Sequence, residues 1–141
     1  MSRIYWDSML FIYWLEDNPA YAPRVEQIAN TMRRRGDTLY TSVFTVGEVL
    51  TGPLKHGRSD IEKKVKALFQ GPLVKLVPMT EDTAYRYASI RAKKNVAPAD
   101  AIHLASAAEA GVDLFLTNDL HLHGITIGGI DFVAGMDVGL F

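Results

Sequence analysis

The chain has 141 residues, 48% of them apolar and 22% charged, which suits one folded domain with a real core and excludes a disordered or low-complexity segment. It contains no cysteine, so disulfides, thiolate zinc sites and cysteine nucleophiles are excluded, and a reducing cytoplasm suits it. A net charge of −1 does not announce a nucleic-acid binder.

In chain order, a strand over about 3–7 ends in Asp7. Ser8 is a plausible N-cap for a short helix to about 16. Met9 to Leu15 is apolar on every side, so this helix should be buried all round, in the core or in a subunit interface. That run is far shorter than the roughly 20 residues of a membrane span, and Asp7 and Glu16 interrupt the apolar N-terminus, so neither a membrane segment nor a signal peptide is expected. Asn18-Pro19 should start a second helix that stops at Gly36, a good C-cap, with Val25, Ile28, Ala29 and Met32 on one face. A second strand is expected at about 38–42. Ser42 then caps a helix to about 50, ended by Gly52-Pro53. A basic amphipathic helix over about 60–70 turns Ile61, Val65 and Leu68 inward, and a third strand covers about 73–77. Thr80-Glu81-Asp82 opens a helix to about 94, with acids in its first turn and bases in its last, as the helix dipole favours. Pro98 opens the next helix, ended by Gly111, and its alanines suit close packing on a sheet. A fourth strand covers about 114–116, and Ile130-Asp131-Phe132 reads as a possible edge strand. Strands alternating with helices predict a single α/β domain over 1–141. Its architecture should be three layers, α/β/α, with a central parallel sheet of four or five strands.

Four acids fall beside the predicted carboxyl ends of these strands: Asp7, Glu48, Asp100 and Asp119. In an open parallel sheet, ligands bind outside those ends, at the point where the strand order reverses. Taken singly, each acid has a bland reading. Asp7 caps a helix, Glu48 fits a capping box with Thr45, Asp100 suits a helix first turn, and Asp119 suits a turn. Together, four converging carboxylates would repel one another unless a cation neutralised them or some were protonated. That pattern points to a divalent-metal site and to phosphodiester hydrolysis. Mg²⁺ keeps several waters, so one or two carboxylates suffice as direct ligands, and Asp7 and Asp100 are the expected pair. Glu48 and Asp119 are expected to act through water or to hold a second ion, and either could orient the attacking water. Ser8, Thr117 and Asn118 are candidates to hydrogen-bond the carboxylates and aim them.

The residues that carry these acids resemble a family. Asp7-Ser8 at the end of the first strand, Ser42 to Leu50 around Glu48, Pro98 to Ala105 around Asp100, and Thr117-Asn118-Asp119 occur in the order and structural context of PIN-domain nucleases. The branch they resemble is the VapC-type ribonuclease toxins. The resemblance spans nearly the whole chain. It implies a PIN-like fold, an Mg²⁺ or Mn²⁺ site formed by Asp7, Glu48, Asp100 and Asp119, and RNA as substrate. It also implies a cognate antitoxin and a homodimer. The function expected on this basis is a metal-dependent endoribonuclease, the toxin half of a toxin–antitoxin pair. Two alternatives stand beside it: an RNA-processing nuclease that is not a toxin, and a catalytically silent binding module of the same fold.

With four acids under metal, the rest of the chain is net basic. Arg33-Arg34-Arg35, Lys55 with Arg58, Lys63-Lys64-Lys66, and Arg91 with Lys93-Lys94 could then supply phosphate contacts, although each is also an ordinary solvated face. His103 lies one helical turn after Asp100, and His121 and His123 follow Asp119. A zinc site of His and Asp ligands is conceivable, but three histidines of unknown mutual geometry are weak evidence for it, and structural or solvent-facing histidines are expected.

Overall fold

β1 (Arg3–Trp6) is the middle strand of a five-stranded sheet. β2 (Thr38–Ser42) and β3 (Val74–Val77) lie to one side of it, β4 (Leu114–Leu116) and β5 (Phe132–Ala134) to the other. The order is β3-β2-β1-β4-β5 and every pairing is parallel; Ile4 stands opposite both Leu39 and Leu114. This computed structural model describes all residues, 1–141.

Because side chains alternate across a strand, β1 feeds two cores. Ile4 and Trp6 join one core with α1 (Ser8–Leu15), α2 (Ala22–Arg35), Val49 of α3 (Val43–Lys55) and α4 (Ser59–Gln70). Tyr5 points to the other face. There it packs with Phe115, Ile90 of α5 (Glu81–Lys93) and the alanine-rich side of α6 (Pro98–Ala110). The expected three-layer α/β/α architecture is therefore present, with five strands. A 3-10 turn (Leu120–Leu122) follows β4.

Several boundaries differ from the sequence expectation for identifiable reasons. Asp7, not Ser8, is the N-cap of α1, because its carboxylate accepts from the Ser8 backbone N–H at 2.7 Å. α2 begins at Ala22 rather than at Pro19, since the Asn18 side chain accepts from the N–H groups of Ala20 and Tyr21 and holds a turn there. α3 passes through Gly52-Pro53 to Lys55, with Pro53 buried in its last turn, so its packing outweighs the lost intrahelical bond. In α4 Phe69, not Leu68, completes the buried face with Ile61 and Val65. The last strand lies two residues later than expected and joins the sheet edge beside β4. α1 is buried on the face of Leu10 and Phe11. The expected burial all round is not met within one chain, for Met9 is 39% exposed.

Candidate active site

The strand order reverses across β1 and β4, and the residues that follow those two strands face one another. Asp7 leaves β1, and its backbone N–H still donates to Leu116 O of β4. Thr117, Asn118 and Asp119 leave β4. Asp100 comes from the first turn of α6, and Glu48 from α3, which starts directly at the end of β2. A cavity of about 300 Å³ is lined by Asp7, Glu48, Asp100 and Asp119 together with His103 and Tyr13. All four acids read from the sequence thus share one concavity at the switch point of the sheet.

Asp7 is 7% exposed and bonded on both oxygens. One accepts from the Ser8 N–H, with the Ser8 hydroxyl 3.5 Å away; the other accepts from the Thr117 hydroxyl at 2.8 Å. The same hydroxyl accepts from the Asp119 N–H at 3.0 Å, so one threonine links two of the acids. Asp119 also caps the 3-10 turn through His121 N–H. Ser8 and Thr117, two of the residues expected to orient the carboxylates, both contact Asp7. Asn118 does not contact an acid: its amide donates to the Tyr13 hydroxyl at 3.0 Å, because the chain bends between Thr117 and Asp119 and turns it toward α1.

His103 is the residue that the sequence undervalued. It is 1% exposed, and its Nε2 lies 2.5 Å from Glu48 Oε1 and 3.6 Å from Asp7 Oδ1. Its Nδ1 lies 2.8 Å from the Tyr5 hydroxyl. Burial pushes the Tyr5 phenol up to about 12. Because a carboxylate only accepts, Nε2 is the nitrogen that donates to Glu48, and Nδ1 pairs with the Tyr5 hydroxyl. Thr45 and Thr41 close the back of this relay, Thr41 donating to Trp6 O. The readable signal was the three-residue step from Asp100 to His103, which sets both on one face of a helix. His123 sits elsewhere, its Nε2 at 3.1 Å from Thr117 O, while His121 is exposed.

Asp100 accepts no hydrogen bond. Burial pushes its carboxyl above the ordinary range, and the negative charges of Asp7, Asp119 and Glu48 push it further, against a partial offset from His103. As they stand, no three acids or histidines close on a single point as metal ligands. Hard oxygen donors, an unpartnered carboxylate and mutual repulsion nevertheless fit a divalent cation held directly by one or two carboxylates and otherwise through water.

These features define a class: a parallel α/β domain with an acidic pocket at its topological switch point. The family profile described as PIN domain matches residues 4–126, and the chain belongs to that family. Solved structures share the fold. VapBC2 from Rickettsia felis, bound to a promoter DNA fragment, superimposes with a TM-score of 0.70 at 12% identity, covering 94% of this chain and 98% of that one. A toxin–antitoxin complex from Klebsiella pneumoniae gives 0.68 at 18% identity, covering 90% and 94%. VapC20 from Mycobacterium tuberculosis, described as a sarcin-ricin loop cleaving toxin, gives 0.67 at 14% identity, covering 79% and 86%. Among curated proteins none matches the chain.

Proposed function

We propose that this chain is an Mg²⁺- or Mn²⁺-dependent endoribonuclease and the toxin of a VapBC-type pair, restrained by a cognate antitoxin and assembled as a homodimer. The observation that carries the reading is the cavity shared by Asp7, Glu48, Asp100 and Asp119, in which burial, and then the charge of the other three acids, raises the pKa of Asp100. The PIN-domain membership supports it, as do fold neighbours described as toxins and toxin–antitoxin complexes.

Asp7 and Asp100 are the residues that would bind the ion directly, and Asp119 would complete its surroundings through water. A bound divalent ion would polarise the scissile phosphoryl oxygen and make a water nucleophilic near neutral pH. The chain's own contribution is orientation. Thr117 holds Asp7 and Asp119 in a common register. His103, held by Tyr5, fixes Glu48 at the cavity wall, and Glu48 would orient the attacking water.

With Mg²⁺ or Mn²⁺, the purified chain should cleave RNA internally, and EDTA should stop it. Asp7→Asn and Asp100→Asn should each lose at least about 10²-fold in rate, the loss expected when several kcal/mol of transition-state stabilisation goes with the ion. Undiminished cleavage by either variant, or cleavage that survives EDTA, would overturn the assignment.

A further inference from the structure

An acidic cavity repels a polyanion, and an ion bound there offsets only part of that charge. The affinity for a nucleic-acid strand must then come from cations elsewhere on the chain. One such place lies on the α5–α6 side of the sheet. α5 and the loop after the 3-10 turn enclose a cleft of about 260 Å³, with Arg86, Ser89, Lys93 and Lys94 on one wall and Thr126 and Gly128 on the other. No carboxylate lines it.

Lys93 and Lys94 are exposed and form no ion pair within the chain. Arg86 engages Glu109 through Nε and makes no other hydrogen bond, so its terminal nitrogens remain available. A lysine in the last turn of a helix is commonly there for the helix dipole. The dipole does not account for the exposed hydroxyls of Ser89 and Thr126 in the same cleft. Nor does it account for how firmly the second wall is built. Ile127 and Ile130 are buried anchors on either side of Gly128-Gly129. Gly129 has φ +95°, and a Cβ there would lie 2.9 Å from Ala108 O, so the loop rests directly on the α6 backbone. Cations, hydroxyls and a fixed wall are what a phosphate group needs.

Chain connectivity joins this cleft to the acids. Lys94 precedes Asp100 by six residues, and Thr126 follows Asp119 by seven. At about 3.3–3.6 Å per fully extended residue, neither wall can lie more than about 20–25 Å from the acidic cavity. That is within reach of a few nucleotides. We propose that the α5–loop cleft is a phosphate-binding subsite for a single-stranded RNA backbone running to or from the acidic cavity, with Lys93 and Lys94 as its principal contacts. This rests on the ribonuclease reading and adds where the substrate strand lies.

The test uses the full chain carrying Asp100→Asn, with Mg²⁺, so that RNA is bound without being cut. Fluorescence anisotropy of a labelled single-stranded RNA oligonucleotide is followed across a salt series. Each lost phosphate contact lowers the slope of log affinity against log salt by about 0.7 for a single strand. Adding Lys93→Ala/Lys94→Ala should therefore lower the slope by about 1.4 and weaken binding about tenfold or more at low salt. The control pair Lys63→Ala/Lys64→Ala lies on α4, against the opposite face of the sheet, and should leave the slope unchanged. All four lysines are exposed, so folding is not at stake. An unchanged slope in the Lys93/Lys94 pair, or an equal loss in both pairs, overturns the cleft and leaves the ribonuclease reading standing. Failure of the Asp100→Asn parent to bind any RNA at low salt also overturns the cleft, whereas the ribonuclease reading stands or falls on metal-dependent cleavage by the wild-type chain.

Discussion

Asp100 is the one acid of the cavity without a hydrogen-bond donor, and it is the acid whose neighbours act on it most plainly. Asp7 has Ser8 and Thr117, Asp119 has the His121 N–H, and Glu48 has His103. The raised pKa of Asp100 means that the native state holds that proton more tightly than the unfolded chain does. In metal-free protein, stability therefore falls as pH rises from the ordinary carboxylate range toward the raised value, and stays lowered above it. In EDTA at pH 7, Asp100→Asn should melt at a higher temperature than the wild type. At about pH 3, below the unfolded pKa of about 3.9, the difference should vanish. Saturating Mn²⁺ should reverse the order at pH 7, because an ion that binds only the native wild type stabilises it by mass action. Thermal melts at the two pH values decide this; identical curves in EDTA at pH 7 would show that neither burial nor the neighbouring charges penalise the Asp100 carboxylate.

At the scale of elements, caps and glycines set where the site residues point. Ser42 caps α3 through Thr45 N–H, which fixes the helix start and places Glu48 one turn further on. Gly36 and Gly111 end α2 and α6 in the left-handed conformation, as expected from the sequence. Gly129 is the more demanding case, since it combines φ +95° with backbone contact to α6. An alanine there would carry both a disfavoured backbone conformation and an overlap with Ala108. Gly129→Ala should lower stability by roughly 1–3 kcal/mol, measured by urea unfolding. It should also lift the loop from α6 without touching any acid. A variant as stable as the wild type would mean that the loop yields more easily than its packing suggests.

At the scale of the whole molecule, α1 is the element that a single chain leaves incompletely covered. Leu10 and Phe11 are buried, whereas Ile12, Tyr13, Trp14 and Leu15 are only partly so and Met9 is exposed. An apolar helix of this kind is stabilised further when a second surface covers it. Under the homodimer proposal, sedimentation at tens of micromolar should report twice the chain mass, and Met9→Lys should weaken the association if α1 takes part. A clean monomer at that concentration would remove the homodimer from the proposal. No helix of the chain is long and apolar enough to cross a membrane.

Much of this was written locally. Strand–helix alternation, Gly36 and Gly111 as helix ends, Ser42 as a cap, and four acids beside strand ends all depend on residues close together in the chain. Period, capping and turn chemistry act over a few residues, so they can be read in one dimension. The misreadings were also local competitions. Asp7 outdid Ser8 as a cap, and Pro53 sits buried inside a helix that was expected to end before it. What the tertiary structure alone decided was which distant groups meet. His103 meets Glu48 across 55 residues and Tyr5 across 98, and Thr117 meets Asp7 across 110. Those contacts exist because parallel strands bring their carboxyl ends to one edge while long crossovers separate them in sequence. The number of acids was legible from the start; the hydrogen-bond partners that orient three of them, and the absence of one for Asp100, follow from packing that no local pattern encodes.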